Sequence, residues 1–129
     1  METKNESLKL FKTKVAGVAR RQSYLKRIFN QIDKGGDYPE IYLEREPENK
    51  HDSNAIKVIW KYYNEKTDNE KEYHIGYIAA HVASSLAKDI DRGIYVHASF
   101  DEILGGYDDM NYGMLITILI DRKDNEPSG

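Results

Sequence analysis

The stretch Leu43-Glu44-Arg45-Glu46-Pro47-Glu48-Asn49-Lys50-His51-Asp52-Ser53-Asn54-Ala55-Ile56-Lys57-Val58 decides how this chain is read. It reads as strand, polar connection, strand. The first arm, Ile41-Tyr42-Leu43, is apolar and β-favouring. In the second arm Ile56, Val58 and Trp60 face one way, and Lys57 and Lys61 the other. Pro47 fixes its own φ and pushes Glu46 toward an extended conformation. Asn49, Asp52, Ser53 and Asn54 can each bond back to nearby backbone amides. An Asn-Gly turn would join two such strands in two residues. The longer connection therefore reads as a loop shaped to hold something.

Upstream, Leu8 to Val18 alternates imperfectly and predicts a first strand that twists or bulges near Gly17. Gly17 lets the backbone approach something closely. Gln22 to Ile32 predicts a short helix capped by Ser23, with Leu25, Ile28, Phe29 and Ile32 toward the core. Lys26 and Arg27 then point outward, near Arg20 and Arg21. Gly35 and Gly36 end that helix.

Downstream, Ala55 to Tyr63 and Glu72 to Ile78 read as strands around a polar tip. Ala79 to Arg92 reads as a helix with Val82, Ala83, Leu86, Ala87 and Ile90 as its apolar stripe. Ile94 to Leu104 and Tyr112 to Ile120 read as strands, the last with Met114, Ile116, Ile118 and Ile120 inward. The order is β-α-β-β-β-α-β-β: mainly β with two helices (α+β). Six such strands can close as a small barrel with a helix plugging one end. One domain is expected over residues 8–122, with tails at 1–7 and 123–129.

The chain has 129 residues and 40% hydrophobic content, enough for one core. It has no cysteine, which excludes disulfides and any Cys-ligated zinc or iron–sulfur site, and it fits a reducing cytoplasm. No apolar run reaches membrane-helix length, and the polar start Met1-Glu2-Thr3-Lys4-Asn5-Glu6 does not read as a signal peptide. A cytoplasmic location and no membrane partner are expected. Net charge is −3, which taken alone argues against a nucleic-acid binder. The charge is segregated, however. Residues 1–34 hold nine Lys/Arg against three acids, so they carry +6 and the rest carries −9. A basic end is where phosphates would go; a solvated surface with uneven charge is the competing reading.

The run Arg45-Glu46-Pro47-Glu48-Asn49-Lys50-His51-Asp52-Ser53-Asn54-Ala55-Ile56-Lys57-Val58, with Gly76-Tyr77-Ile78 downstream, resembles the HIRAN domain family. The family's hallmark is Arg-Glu/Asp-Pro-x-Asn-x-x-Asp-x-Asn-Ala-Ile-x-Val, and every fixed position matches. Weaker correspondence extends from about Val15 to Ile120. The resemblance implies a modified OB-like six-stranded β-barrel that binds DNA and serves in DNA repair. In eukaryotic fork-remodelling translocases the domain grips the 3′ end of single-stranded DNA. In bacteria it also stands alone.

The same resemblance assigns roles. Asp52 matches the acid that accepts a hydrogen bond from the terminal 3′ hydroxyl. A carboxylate there would reject an internal 3′ oxygen, which carries phosphate. Asp52 as an Asx-turn residue that merely holds the loop is the plain alternative. His51 stands in place of a base-stacking tyrosine; a histidine stacks with less area and is cationic when protonated. Ala19 and Arg20 lie about where the family has an Arg-Tyr pair. Arg20 or Arg21 would supply the charge and Tyr24 the missing ring. Tyr77 stands at a contact position after the glycine. Lys26 and Arg27 would contact nearby phosphates. Asn49 and Asn54 read as loop architecture, and Trp60, Tyr62 and Tyr63 as strand residues.

No catalytic residue and no metal or other cofactor is expected. His51, His74, His81 and His97 show no metal-ligand spacing, and there is no phosphate-binding glycine loop. Asp89 and Asp91 read as solvated acids. ATP hydrolysis in the family belongs to domains fused to it. The expected function is a non-catalytic single-stranded DNA-binding module, with protein partners such as helicases or nucleases. A protein-interaction adaptor on the same barrel is the alternative, and a small hydrolase a third.

Overall fold

The computed structural model describes residues 7–108 and 110–122. The tails expected at 1–7 and 123–129 lie outside them, apart from Ser7. Strand β1 (Leu8–Ala16) leads through a 3-10 turn (Ala19–Arg21) into helix α1 (Gln22–Asp33). Then follow β2 (Glu40–Arg45), β3 (Ile56–Asn64), β4 (Asn69–Ile78), helix α2 (Ala80–Asp91), β5 (Tyr95–Gly105) and β6 (Tyr112–Asp121). The strands form one antiparallel sheet in the order β2-β3-β4-β1-β6-β5. Six strands and two helices in the expected order are present. Among the described residues no helix is long and apolar enough to cross a membrane.

The sheet is not closed into a barrel, which corrects that expectation. Its edges, β2 and β5, approach to within 8 Å between Cα atoms, yet no ladder joins them. Side chains occupy part of this seam instead: the Tyr38 ring lies 5.6 Å from Phe100. A six-residue β2 offers little backbone to pair with, and β5 shifts register between Phe100 and Glu102, so the two edges do not present matched amides and carbonyls.

The core follows the period-2 pattern. Ile56, Val58 and Trp60 of β3 and Met114, Ile116, Ile118 and Ile120 of β6 are buried as expected. Helix α1 contributes Leu25 and Ile28, and α2 contributes Ala83, Leu86 and Ala87. Phe29 is exposed, its ring 5.7 Å from Tyr112. The first strand ends at Ala16, two residues early, because Gly17 takes φ +68° and turns the chain. Ser23 makes no capping bond. Gln22 ties down the start of α1: its Nε2 donates to the Tyr112 carbonyl at 2.9 Å, and its Oε1 accepts from the Tyr112 amide at 2.7 Å.

Two features shape the site. The β3–β4 register shifts between Val58 and Ile59, which leaves Ile75 as an additional residue of β4. Beside it, a Cβ on Gly76 would overlap Val15 Cγ1 and the Ala16 carbonyl oxygen. That position needs glycine so that β1 can approach β4. The acids read as solvated are engaged. Asp89 is buried with Arg122 Nη2 at 2.8 Å, and Asp91 takes a two-pronged bond from Arg45.

Candidate nucleic-acid interface

The signature residues build a loop before they offer anything to a ligand. Glu46 N donates to the Ala55 carbonyl at 2.9 Å and closes the base of the loop. Arg45 lies across it: Nη1 donates to Ala55 O at 2.7 Å, Nη2 to Ser53 O at 3.0 Å, and Nε to Asp91 Oδ1 at 2.9 Å. One fork thus fixes the loop to the end of α2. Asn49 is the hub. Its Oδ1 accepts from His51 N at 2.8 Å and Asp52 N at 3.1 Å, while its Nδ2 donates to Glu46 Oε1 at 2.6 Å. Asp52 Oδ1 accepts from Asn54 N at 2.9 Å, the Asx turn anticipated for it. Its other oxygen, Oδ2, has no hydrogen-bond partner among the described residues.

Tyr77 joins this network from β4. Its hydroxyl donates to Glu46 Oε1 at 2.8 Å. Hydrogen bonds from Asn49 and Tyr77 hold the Glu46 carboxyl below its ordinary pKa, and burial, then Glu46, push the Tyr77 phenol up. The Tyr77 ring meets His74 edge-on at 4.7 Å. His74 Nε2 lies 2.8 Å from the Gly76 carbonyl oxygen, so it carries the proton, and Nδ1 faces Arg21 Nη2 at 3.3 Å as acceptor. Burial first, then Arg21, lowers the His74 pKa and favours this neutral form.

The result is a pocket of about 320 Å³. Ala16, Ala55 and Ile78 supply apolar walls, and Asn49, His51, Asp52 and Tyr77 supply the polar groups. Gly17 borders it from the first loop and Ala80 from the start of α2. Ala79, the residue before helix α2, provides no side-chain cap; the Val82 and Ala83 amides donate to its carbonyl, which leaves those of Ala80 and His81 as donors beside the pocket.

His51, Asp52 and Tyr77 are therefore brought together, as the sequence analysis anticipated. The basic residues are not. Arg21 is no free phosphate fork: Nη1 donates to Gly17 O at 2.7 Å, Nε to His74 O at 3.0 Å, and its guanidinium lies over the Tyr77 ring at 5.8 Å. It braces the pocket wall. Arg20 is exposed, three residues from Gly17. Tyr24 does not replace a stacking ring at the pocket, because it packs at 4.9 Å on Tyr73. Lys26 is exposed and nothing ties it to the pocket among the described residues. Arg27 leaves the group altogether, stacking on Tyr73 and Trp60 at 5.1 and 5.4 Å.

Six pocket residues were outside the candidate set: the apolar walls Ala16, Ala55 and Ile78, and Gly17, Asn49 and Ala80. Gly17 and Asn49 stood out as backbone and loop features. The signal for Ala80 was a helix start at Ile78-Ala79-Ala80 with no Ser, Thr, Asp or Asn to cap it.

A small antiparallel β domain with a loop-walled surface pocket defines the class of protein. The HIRAN domain family matches residues 8–118, nearly the whole chain, and the chain belongs to that family. HIRAN domains are generally nucleic-acid-binding modules. Neither a curated protein nor a solved structure gives a match.

Proposed function

We propose that this protein is a non-catalytic single-stranded DNA-binding module that takes a 3′ end into the Asp52 pocket. One observation carries the reading: Asp52 lines the pocket with Oδ1 held by Asn54 and Oδ2 without a hydrogen-bond partner among the described residues. A fixed carboxylate with one open oxygen accepts a bond from a 3′ hydroxyl and repels a 3′ phosphate. His51, exposed on the rim, offers a ring to the last base. The uncapped start of α2 offers backbone donors to the adjacent phosphate.

The test is fluorescence anisotropy with a short single strand ending in a 3′ hydroxyl or a 3′ phosphate. The phosphate is expected to weaken binding about fivefold, roughly 1 kcal/mol. Asp52→Asn keeps the Asx-turn oxygen, so the loop survives and the discrimination disappears. Equal binding of both ends by the unsubstituted protein would reject the end pocket.

A protein-interaction adaptor is the second reading, favoured by Leu8 and Leu10, which lie 50% and 67% exposed on β1. It predicts no DNA binding even at low salt.

A further inference from the structure

Arg27, expected near the first loop, lies instead at the far end of β3, where two grooves share it and Tyr62. One, about 240 Å³, is lined by Asn64, Thr67, Asn69, Lys71 and Tyr73 besides these two. The other, about 260 Å³, adds Asn30, Gln31, Lys34 and Trp60. No carboxylate lines either groove. Arg27, Lys34 and Lys71 also have no ion pair among the described residues. The guanidinium of Arg27 is held in place by its two rings rather than by an acid, so its charge is oriented and unneutralised. Amides beside it are hydrogen-bond partners without charge, and Tyr62, partly exposed and the register partner of Lys71, offers a ring between the cations.

Helix α1 connects this surface to the pocket. Tyr24, Arg27, Gln31 and Lys34 recur at spacings of three, four and three, which places them on one face. Arg21, just before that helix, lies over Tyr77 of the pocket. The neighbouring groove beyond Trp60 and Tyr62 carries Asp37, Glu40 and Glu65, which would repel a phosphate chain and so bound the path on that side.

We propose that the Arg27–Lys34–Lys71 surface is a second binding site, for the phosphates and a base of the interior of a single nucleic-acid strand. It rests on the nucleic-acid reading and adds to it a required length. Ala55, in the pocket, and Tyr62, in the grooves, are seven residues apart along β3, about 23 Å at ~3.3 Å per residue. At about 3.4 Å per stacked nucleotide, a trinucleotide covers roughly 10 Å and a dodecamer roughly 41 Å. Only the longer strand would reach both.

The experiment compares these two oligonucleotides by anisotropy across a salt series. It uses the unsubstituted protein, Lys34→Glu/Lys71→Glu and Asp52→Asn. Both lysines are exposed, so the fold tolerates the double substitution, and an unchanged thermal melt verifies it. The dodecamer should bind the unsubstituted protein at least tenfold more tightly than the trinucleotide. The double variant should lose most of that advantage, with the log–log salt slope smaller by about 1.4. Asp52→Asn should keep the length advantage while losing end discrimination. A double variant that binds the dodecamer as the unsubstituted protein does would overturn the second site and leave the end pocket standing. Equal affinity for both lengths would do the same. Binding of neither oligonucleotide would overturn both readings.

Discussion

At its Ile56 end β3 meets a loop whose polar side chains are largely bonded to one another; at its Asn64 end it meets grooves whose three cations have no acid partner among the described residues. In the first region Arg45, Glu46, Asn49 and Asp52 hold a backbone shape. What remains for a ligand is narrow: one carboxylate oxygen, one exposed ring and a helix start. In the second region Arg27, Lys34 and Lys71 offer open charge with little else fixed. The difference teaches that a family signature can be a code for building a loop. Arg45, Glu46 and Asn49 are spent on holding the loop, and only Asp52 both holds it and is free to bind, one oxygen closing its turn and the other left open. Affinity for a polyanion would come from the end the signature does not mark.

That contrast can be broken experimentally. The largest effect is expected at Asn49→Ala, which deletes a hub of hydrogen bonds, half-buried to Glu46 and Asp52 and exposed to His51, and leaves the half-buried Asp52 amide unserved. It should destabilise the protein by about 2–3 kcal/mol in urea unfolding and abolish end discrimination. The salt-dependent part of dodecamer binding should survive at temperatures where the variant is folded. A loss below about 0.5 kcal/mol would mean that the loop does not depend on Asn49, and the distinction between builders and binders would fall.

A smaller effect is expected from pH. His74 has a lowered pKa, so the native state prefers the neutral ring that the unfolded chain protonates below about 6.5. Stability should therefore fall as pH drops through and below that value. Glu46, lowered from 4.5, adds a second loss as its carboxyl protonates at more acid pH. Thermal melts from pH 7.5 to 4 should show the first loss, and His74→Gln should flatten it. A profile that is level between pH 7 and 5 would contradict the preference of the folded protein for neutral His74.

The smallest effect is expected at Asp91→Asn. Asp91 is mostly exposed, and Arg45 retains its two carbonyl acceptors without it. The urea midpoint should move less than for Asn49→Ala, and 3′-end discrimination should change little. An equal or larger shift would place the loop's anchor on α2 rather than within the loop.

Much of the fold was legible in the chain. The alternation in Ile56-Lys57-Val58 and the run Met114 to Ile120 identified inward faces, because a strand's period is fixed by its own backbone. The apolar stripe of α2 was legible for the same reason at period 3.6. The asparagines of the loop were legible because an Asx turn is closed within three residues. The basic cluster was not. Arg21, at the end of the 3-10 turn, and Arg27, within α1, are only six residues apart, yet one is captured by His74 of β4 and the other by Trp60 and Tyr73. Those partners are 33 to 53 residues away, and no local pattern distinguishes the two arginines.

By itself, then, the sequence determined the element order, the inward residues, the loop's own turn chemistry and membership of the HIRAN family. The first three rest on periodicity or on contacts between near neighbours; the family rests on the signature from Arg45 to Val58 and the match over residues 8–118. Only the tertiary structure decided that the sheet stays open between β2 and β5, that Arg21 braces a pocket wall, and that Arg27 faces a separate groove. These depend on strand order and register, which bring distant segments together and which no short stretch of the chain encodes.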